Sequence, residues 1–98
     1  MANETTTIVD DVKLALRISH NLLDAEIEKV IASAREEMIR AGVEQTVVNG
    51  DSELVNMAIK TYAMEYYTRD VKEADRYEIS FQYQLDNLRK TFPASEVV

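Results

Sequence analysis

The 98 residues suffice for one domain, and two separate cores would be hard to fill. Hydrophobic residues make up 46% of the chain, while two glycines and one proline give little punctuation, which favours helices over a meander of short strands. The absence of cysteine excludes disulfides and thiolate metal sites, and a net charge of −7 speaks against a general nucleic-acid binder, which needs clustered Lys and Arg.

Taken in chain order, residues 1–7 are polar and read as a flexible arm. No run approaches the roughly 20 apolar residues of a membrane span, and the acidic start lacks the basic segment and apolar run of a signal peptide. The protein is therefore expected to stay in the compartment where it is made. Thr7 is placed to cap a short first helix over about Ile8–Arg17, with Asp10 and Asp11 near the positive end of its dipole. Its buried side is expected to carry Ile8, Val12, Ala15 and Leu16. Ser19-His20-Asn21 breaks the pattern, and Asn21 reads as the next N-cap with Asp24 in the capping-box position.

The second helix is the clearest element. Leu23, Ile27, Val30, Ile31, Ala34, Met38 and Ile39 recur at three- and four-residue spacing and form one apolar stripe. Glu36 and Arg40 form an i,i+4 pair on the wet side. Gly42 stands where a left-handed C-terminal residue is needed. Residues 43–50 read as an irregular link, with strand character at Thr46-Val47-Val48 and a turn at Asn49-Gly50.

Asp51 or Ser52 caps a third predicted helix running to about Thr68. Its inner face is Val55, Ala58, Ile59, Tyr62, Ala63 and Tyr66. Met57 and Met64 fall on nearly the opposite side, with Tyr67 between the two faces. A helix apolar on two sides is either central or exposed to a partner. Residues 70–78 read as a charged loop. Ser80 is expected to cap a last helix carrying Phe81, Leu85, Leu88 and Phe92, with an Asp86–Lys90 pair, and Pro93 ends it. The expected fold is an all-α single small domain of about four helices over residues 8–92. Its second and third helices are long and packed antiparallel, and residues 93–98 form a tail.

Chemistry is sparse. His20 is the only histidine, which removes every two-histidine metal site, and its place before a helix suits a surface residue. The adjacent pairs Asp10-Asp11 and Glu36-Glu37 diverge on a helix. Two glycines, at Gly42 and Gly50, form neither a phosphate loop nor a nucleophile elbow. No catalytic, cofactor-binding or metal residue is assigned, and the expectation is a protein that binds and does not catalyse. Met57, Met64 and Tyr67 are the candidate interface residues on the third helix. Tyr77 and Tyr83 are further possible anchors, since Tyr is enriched at interfaces. Val97 and Val98 close the tail as candidates for strand addition onto a partner's sheet edge.

The segment Val9-Asp10-Asp11-Val12-Lys13-Leu14-Ala15-Leu16-Arg17-Ile18 resembles the opening helix of tailed-bacteriophage head-tail connector (adaptor) proteins. Asp24-Ala25-Glu26-Ile27-Glu28-Lys29-Val30-Ile31 with Ala32-Ser33-Ala34-Arg35-Glu36 resembles the family's second helix. Gln84-Leu85-Asp86-Asn87-Leu88-Arg89 looks like its closing helix. Val43–Asp51 has no matching motif, and the third helix matches only in its apolar pattern. The resemblance implies a structural virion subunit in a twelvefold homo-oligomeric ring beneath the portal protein. Such a ring helps complete packaging, retains the DNA, and receives a tail-proximal stopper or tail-completion protein. It implies no cofactor and no membrane, a place at the head-tail interface of the virion, and the host cytoplasm during assembly. A carboxylate-lined channel would let DNA pass without sequence-specific binding.

Two other classes compete with it. A small helical phage DNA-binding or regulatory protein, repressor-like or an antitoxin, would carry a basic recognition helix after a tight turn. The third predicted helix is apolar, with only Lys60 and Arg69 basic. No residue points to a helical enzyme subunit or chaperone.

Overall fold

The computed structural model describes residues 7–94 and is all-α: α1 (Ile8–Leu16), α2 (Asp24–Arg40), α3 (Gln45–Val48), α4 (Glu53–Tyr67) and α5 (Val71–Thr91). Four of these are helices of nine residues or more, and α3 is a single turn. Among the described residues no strand forms, and no helix is long and apolar enough to cross a membrane. Residues 1–6 of the expected arm, and Val97 and Val98 of the expected tail, lie outside the described residues.

Helix starts follow side-chain capping where the sequence offers it. Thr7 accepts from the Asp10 N–H, and Ser52 accepts from the Val55 N–H, each satisfying a donor that the helix cannot. Arg17 ends α1 in the left-handed region at φ +62°, and the Ile18 N–H returns to the Lys13 carbonyl. Gly42 takes φ +106° after α2, the role expected of it.

α4 is the central helix, packed by α1, α2 and α5. Val55, Ala58, Ile59 and Ala63 are buried along it, and they meet Ile27, Val30, Ile31, Ala34 and Met38 of α2. α4 and α5 form an antiparallel hairpin: Leu54 and Met57 lie by Leu88 and Gln84, and the Tyr62 ring meets Phe81 edge-on at 5.2 Å. α2 also runs against α4 in the opposite sense, with Glu26 beside Tyr67 and Glu37 beside Tyr62. The link after α2 is part of the core. Val43 and Val48 are fully buried, and Val43 pairs with Pro93 in an isolated antiparallel bridge, flanked by bonds from Glu44 N–H to the Phe92 carbonyl and from Ala94 N–H to the Gly42 carbonyl.

Four readings need correction. Residues 70–78 are not a loop: Asp70 caps α5 by accepting from the Lys72 and Glu73 N–H groups, and Ser80 lies inside the helix. Asn21 does not cap α2, whose N-cap position is Leu23 with no side-chain bond. Thr46-Val47-Val48 is helical, since Glu44 accepts from the Thr46 N–H and starts a turn there. Arg40 pairs with Glu37 at 3.4 Å, one turn back, and makes no ion pair with Glu36.

Candidate functional site

His20 is exposed, and its Nδ1 accepts from the Leu22 N–H at 3.2 Å, a local turn contact. Among the described residues no group of three His, Asp or Glu side chains is placed to hold a metal ion. The concave features among the described residues are open clefts.

The proposed interface residues of α4 separate. Met57 is 45% exposed and, with Leu54, forms the apolar wall of a cleft of about 230 Å³ against Gln84, Asn87 and Leu88 of α5. Met64 is half-buried and faces a different cleft, beneath Ala15–Ile18 at the end of α1 and beside Tyr67 and Tyr77. Tyr67 is half-buried against the core, its ring edge-on to Tyr66 at 4.9 Å. Its hydroxyl is buried, with Glu26 nearby but beyond a well-formed hydrogen bond. Burial first, and then that carboxylate, push the Tyr67 pKa up to about 12. Tyr66, expected on the inner face, is 56% exposed, and it lines a cleft beside Glu26, Lys29 and Ser33 of α2. Tyr62 is half-buried where expected, and burial, then Glu37 and Glu65, raise its pKa.

Between α4 and α5 lies a cleft of about 310 Å³ lined by Glu37, Tyr62, Glu65, Tyr66, Glu78, Phe81 and Gln82. Glu65 faces Glu78 there. Burial, a proton shared with Glu78, and the Glu78 and Asp75 charges push the Glu65 pKa up to about 7. The sequence does not reveal this pair, because residues 70–78 read as a charged loop. Drawing α5 from Asp70 puts positions 65 and 78 opposite each other across the hairpin.

The large apolar side chains left outward are the most telling feature. Leu14 and Leu22 lie by the C-terminal end of α4, since the end of α1 covers Met64, Tyr67 and Thr68. Leu54 and Met57 lie at its N-terminal end, the 15 residues of α4 separating the two groups by roughly 20 Å. Val71, Ile79 and Tyr83 are exposed along α5. Tyr83 is exposed, as suits the anchor role considered for it, whereas Tyr77 is half-buried; Leu14 and Ile79 are not signalled as surface residues by the sequence, although the Ile79–Tyr83 spacing of one turn is visible once the helix is drawn through it. Comparison with protein-family models, curated proteins and solved structures finds no match.

Proposed function

We propose that this chain is a structural adaptor of a tailed phage: a head-tail connector subunit that forms a ring under the portal, retains packaged DNA and presents the next tail-proximal ring with its seat. The observation that carries the reading is the set of large apolar side chains left uncovered on separate parts of a chain whose core is already closed. Leu14 and Leu22 mark one end of α4, and Leu54 and Met57 mark the other. Isolated exposed leucines need no explanation, but groups on distinct faces suit a subunit that meets a different neighbour on each side. The order of the three sequence motifs supplies the identity of the assembly, and the charge of −7 suits a channel wall that repels phosphate.

The test is mass measurement on the purified protein, alone and mixed with a portal ring. A ring, or a portal complex of integral stoichiometry, is the expected outcome. A chain that remains monomeric in both samples overturns the proposal. Retention on a phosphate column in moderate salt would favour the DNA-binding alternative instead.

A further inference from the structure

Asn49 and Gly50 join α3 to α4 in an exposed turn. The turn itself dictates the glycine. A Cβ at position 50 would stand 3.0 Å from the Thr46 carbonyl oxygen, too close to fit without a shift of the backbone. The same missing side chain leaves the Gly50 nitrogen open to approach and the main chain around it free to rotate. That nitrogen closes a five-membered ring when it meets Cγ of the preceding asparagine.

We infer that Asn49 is a self-modifying site, deamidating through a cyclic imide to aspartate and isoaspartate. The Gly50 nitrogen gives its proton to water or hydroxide and attacks Asn49 Cγ. The Cγ–Nδ2 bond breaks and ammonia leaves. Water then adds to one of the two imide carbonyls. Opening at Cγ gives aspartate, and opening at the main-chain carbon gives isoaspartate, in which the main chain runs through the former side chain. Water is consumed and ammonia released, with no change of oxidation state.

Local structure sets the rate. At φ −90° and ψ 2° the Gly50 nitrogen nearly eclipses the Asn49 nitrogen and is turned away from Cγ. Ring closure therefore waits on rotation of the 49–50 peptide, which breaks the bond from the Gly50 N–H to the Val47 carbonyl at 3.2 Å. α3 is a single turn with Gln45, Thr46 and Asn49 exposed, and segments of this kind open at low cost. The other asparagines among the described residues are held differently. Asn21 Oδ1 accepts from Lys13, and Asn56 Nδ2 donates to Asp51. Asn56 and Asn87 lie inside α4 and α5, and all three precede a large side chain, Leu22, Met57 or Leu88. The change at Asn49 adds a carboxylate near Asp51 and Glu53. In its isoaspartate form it also lengthens the main chain between the fully buried Val48 and the Ser52 cap of α4.

Ageing of the full chain at mildly alkaline pH tests this, read by peptide mass mapping and by enzymatic methylation of isoaspartate, with the urea-unfolded chain as reference. Conversion at Asn49 is expected to run roughly tenfold or more ahead of Asn21, Asn56 and Asn87 in the folded chain, since helix opening adds to the barrier at the last two and the Lys13 contact at the first. It is expected to be slower than in the unfolded chain, because the closed turn is unreactive. Asn49→Gln, which would need a larger ring, is expected to abolish the conversion with folding unchanged by circular dichroism. Retention of the Asn49 amide in the folded chain, over a time in which the unfolded chain converts, overturns the inference. So does an acid product free of isoaspartate, which means direct hydrolysis of the side chain, and so does equal conversion at all four asparagines. Each of these results is independent of the ring reading.

Discussion

Lys13 Nζ stands 2.9 Å from Asp24 Oδ1 and ties the end of α1 to the first turn of α2. The same ammonium donates to Asn21 Oδ1 at 2.6 Å. Lys13 is the one charged side chain in the buried set, so its charge is satisfied by the connection between the two helices. Lys13→Ala should remove that tie and leave a half-buried carboxylate without its cation, at about 1–3 kcal/mol of stability. Asp24→Asn should cost less, because Asn21 still accepts from the lysine. Urea unfolding of the two variants checks the order; equal losses would show that the two acceptors do not share the ammonium in this way.

That contact also explains a limit of sequence reading. Asn21 and Asp24 have the spacing of a capping box, and local rules assign them to the helix start. The buried ammonium, eight residues from Asn21, competes for both oxygens and wins. Similar competition hid the rest. Val43 reads as part of an irregular link because its partner, Pro93, is fifty residues away. The first two turns of α5 looked like a loop because only Ala74 and Tyr77 are half-buried there, so the apolar period is faint until Phe81. By contrast, the stripe of α2, the buried residues of α4 from Val55 to Ala63 and the end of α5 at Pro93 were legible, since one-sided burial along an uninterrupted helix writes its own period. The surface was least legible. Which apolar residues stay outside depends on where neighbouring helices stop.

Glu65 and Glu78 make folding sensitive to pH. The Glu65 pKa is raised to about 7 in the folded chain, above its ordinary value of 4.5, so the folded state holds a proton that the unfolded state has released. Its contribution is fully present below about 4.5 and is lost as pH rises through about 7. The unfolding midpoint should therefore fall between pH 5 and pH 8. Glu65→Gln should raise it at pH 8 and flatten the profile. The window avoids the acid limb, where Asp86, held below the usual carboxylate range by Arg89 and Lys90, acts in the opposite sense. An unchanged slope in Glu65→Gln would remove this residue as its source.

Gly42 joins α2 to the segment that pairs with Pro93. At φ +106° a Cβ is strained, although the space around it is open: the nearest atoms are on Arg89 at 3.7 Å. The penalty in Gly42→Ala is thus one of backbone conformation rather than crowding, about 1–3 kcal/mol. Hydrogen exchange at the Ala94 amide, which donates to the Gly42 carbonyl at 2.9 Å, should quicken together with the loss of global stability. Wild-type stability in Gly42→Ala would mean that the turn relaxes without strain.

Met57 and Met64 were paired by sequence and are separated by structure, which makes them a test of where the partner surface begins. Met57 is open to solvent at the N-terminal end of α4, so Met57→Asp should leave the free chain within about 0.5 kcal/mol of the original stability. If the Leu54–Met57 cleft meets the portal or a neighbouring copy, the same change should weaken that association, because a carboxylate then loses water without a partner. Met64 is half-covered by the end of α1, so Met64→Asp should destabilise the free chain by about 1–3 kcal/mol before any assembly is considered. Urea unfolding of the free chain and sedimentation with portal read the two effects separately. A Met57→Asp chain that unfolds places that residue in the core, and one that assembles as the original does removes the cleft from the interface.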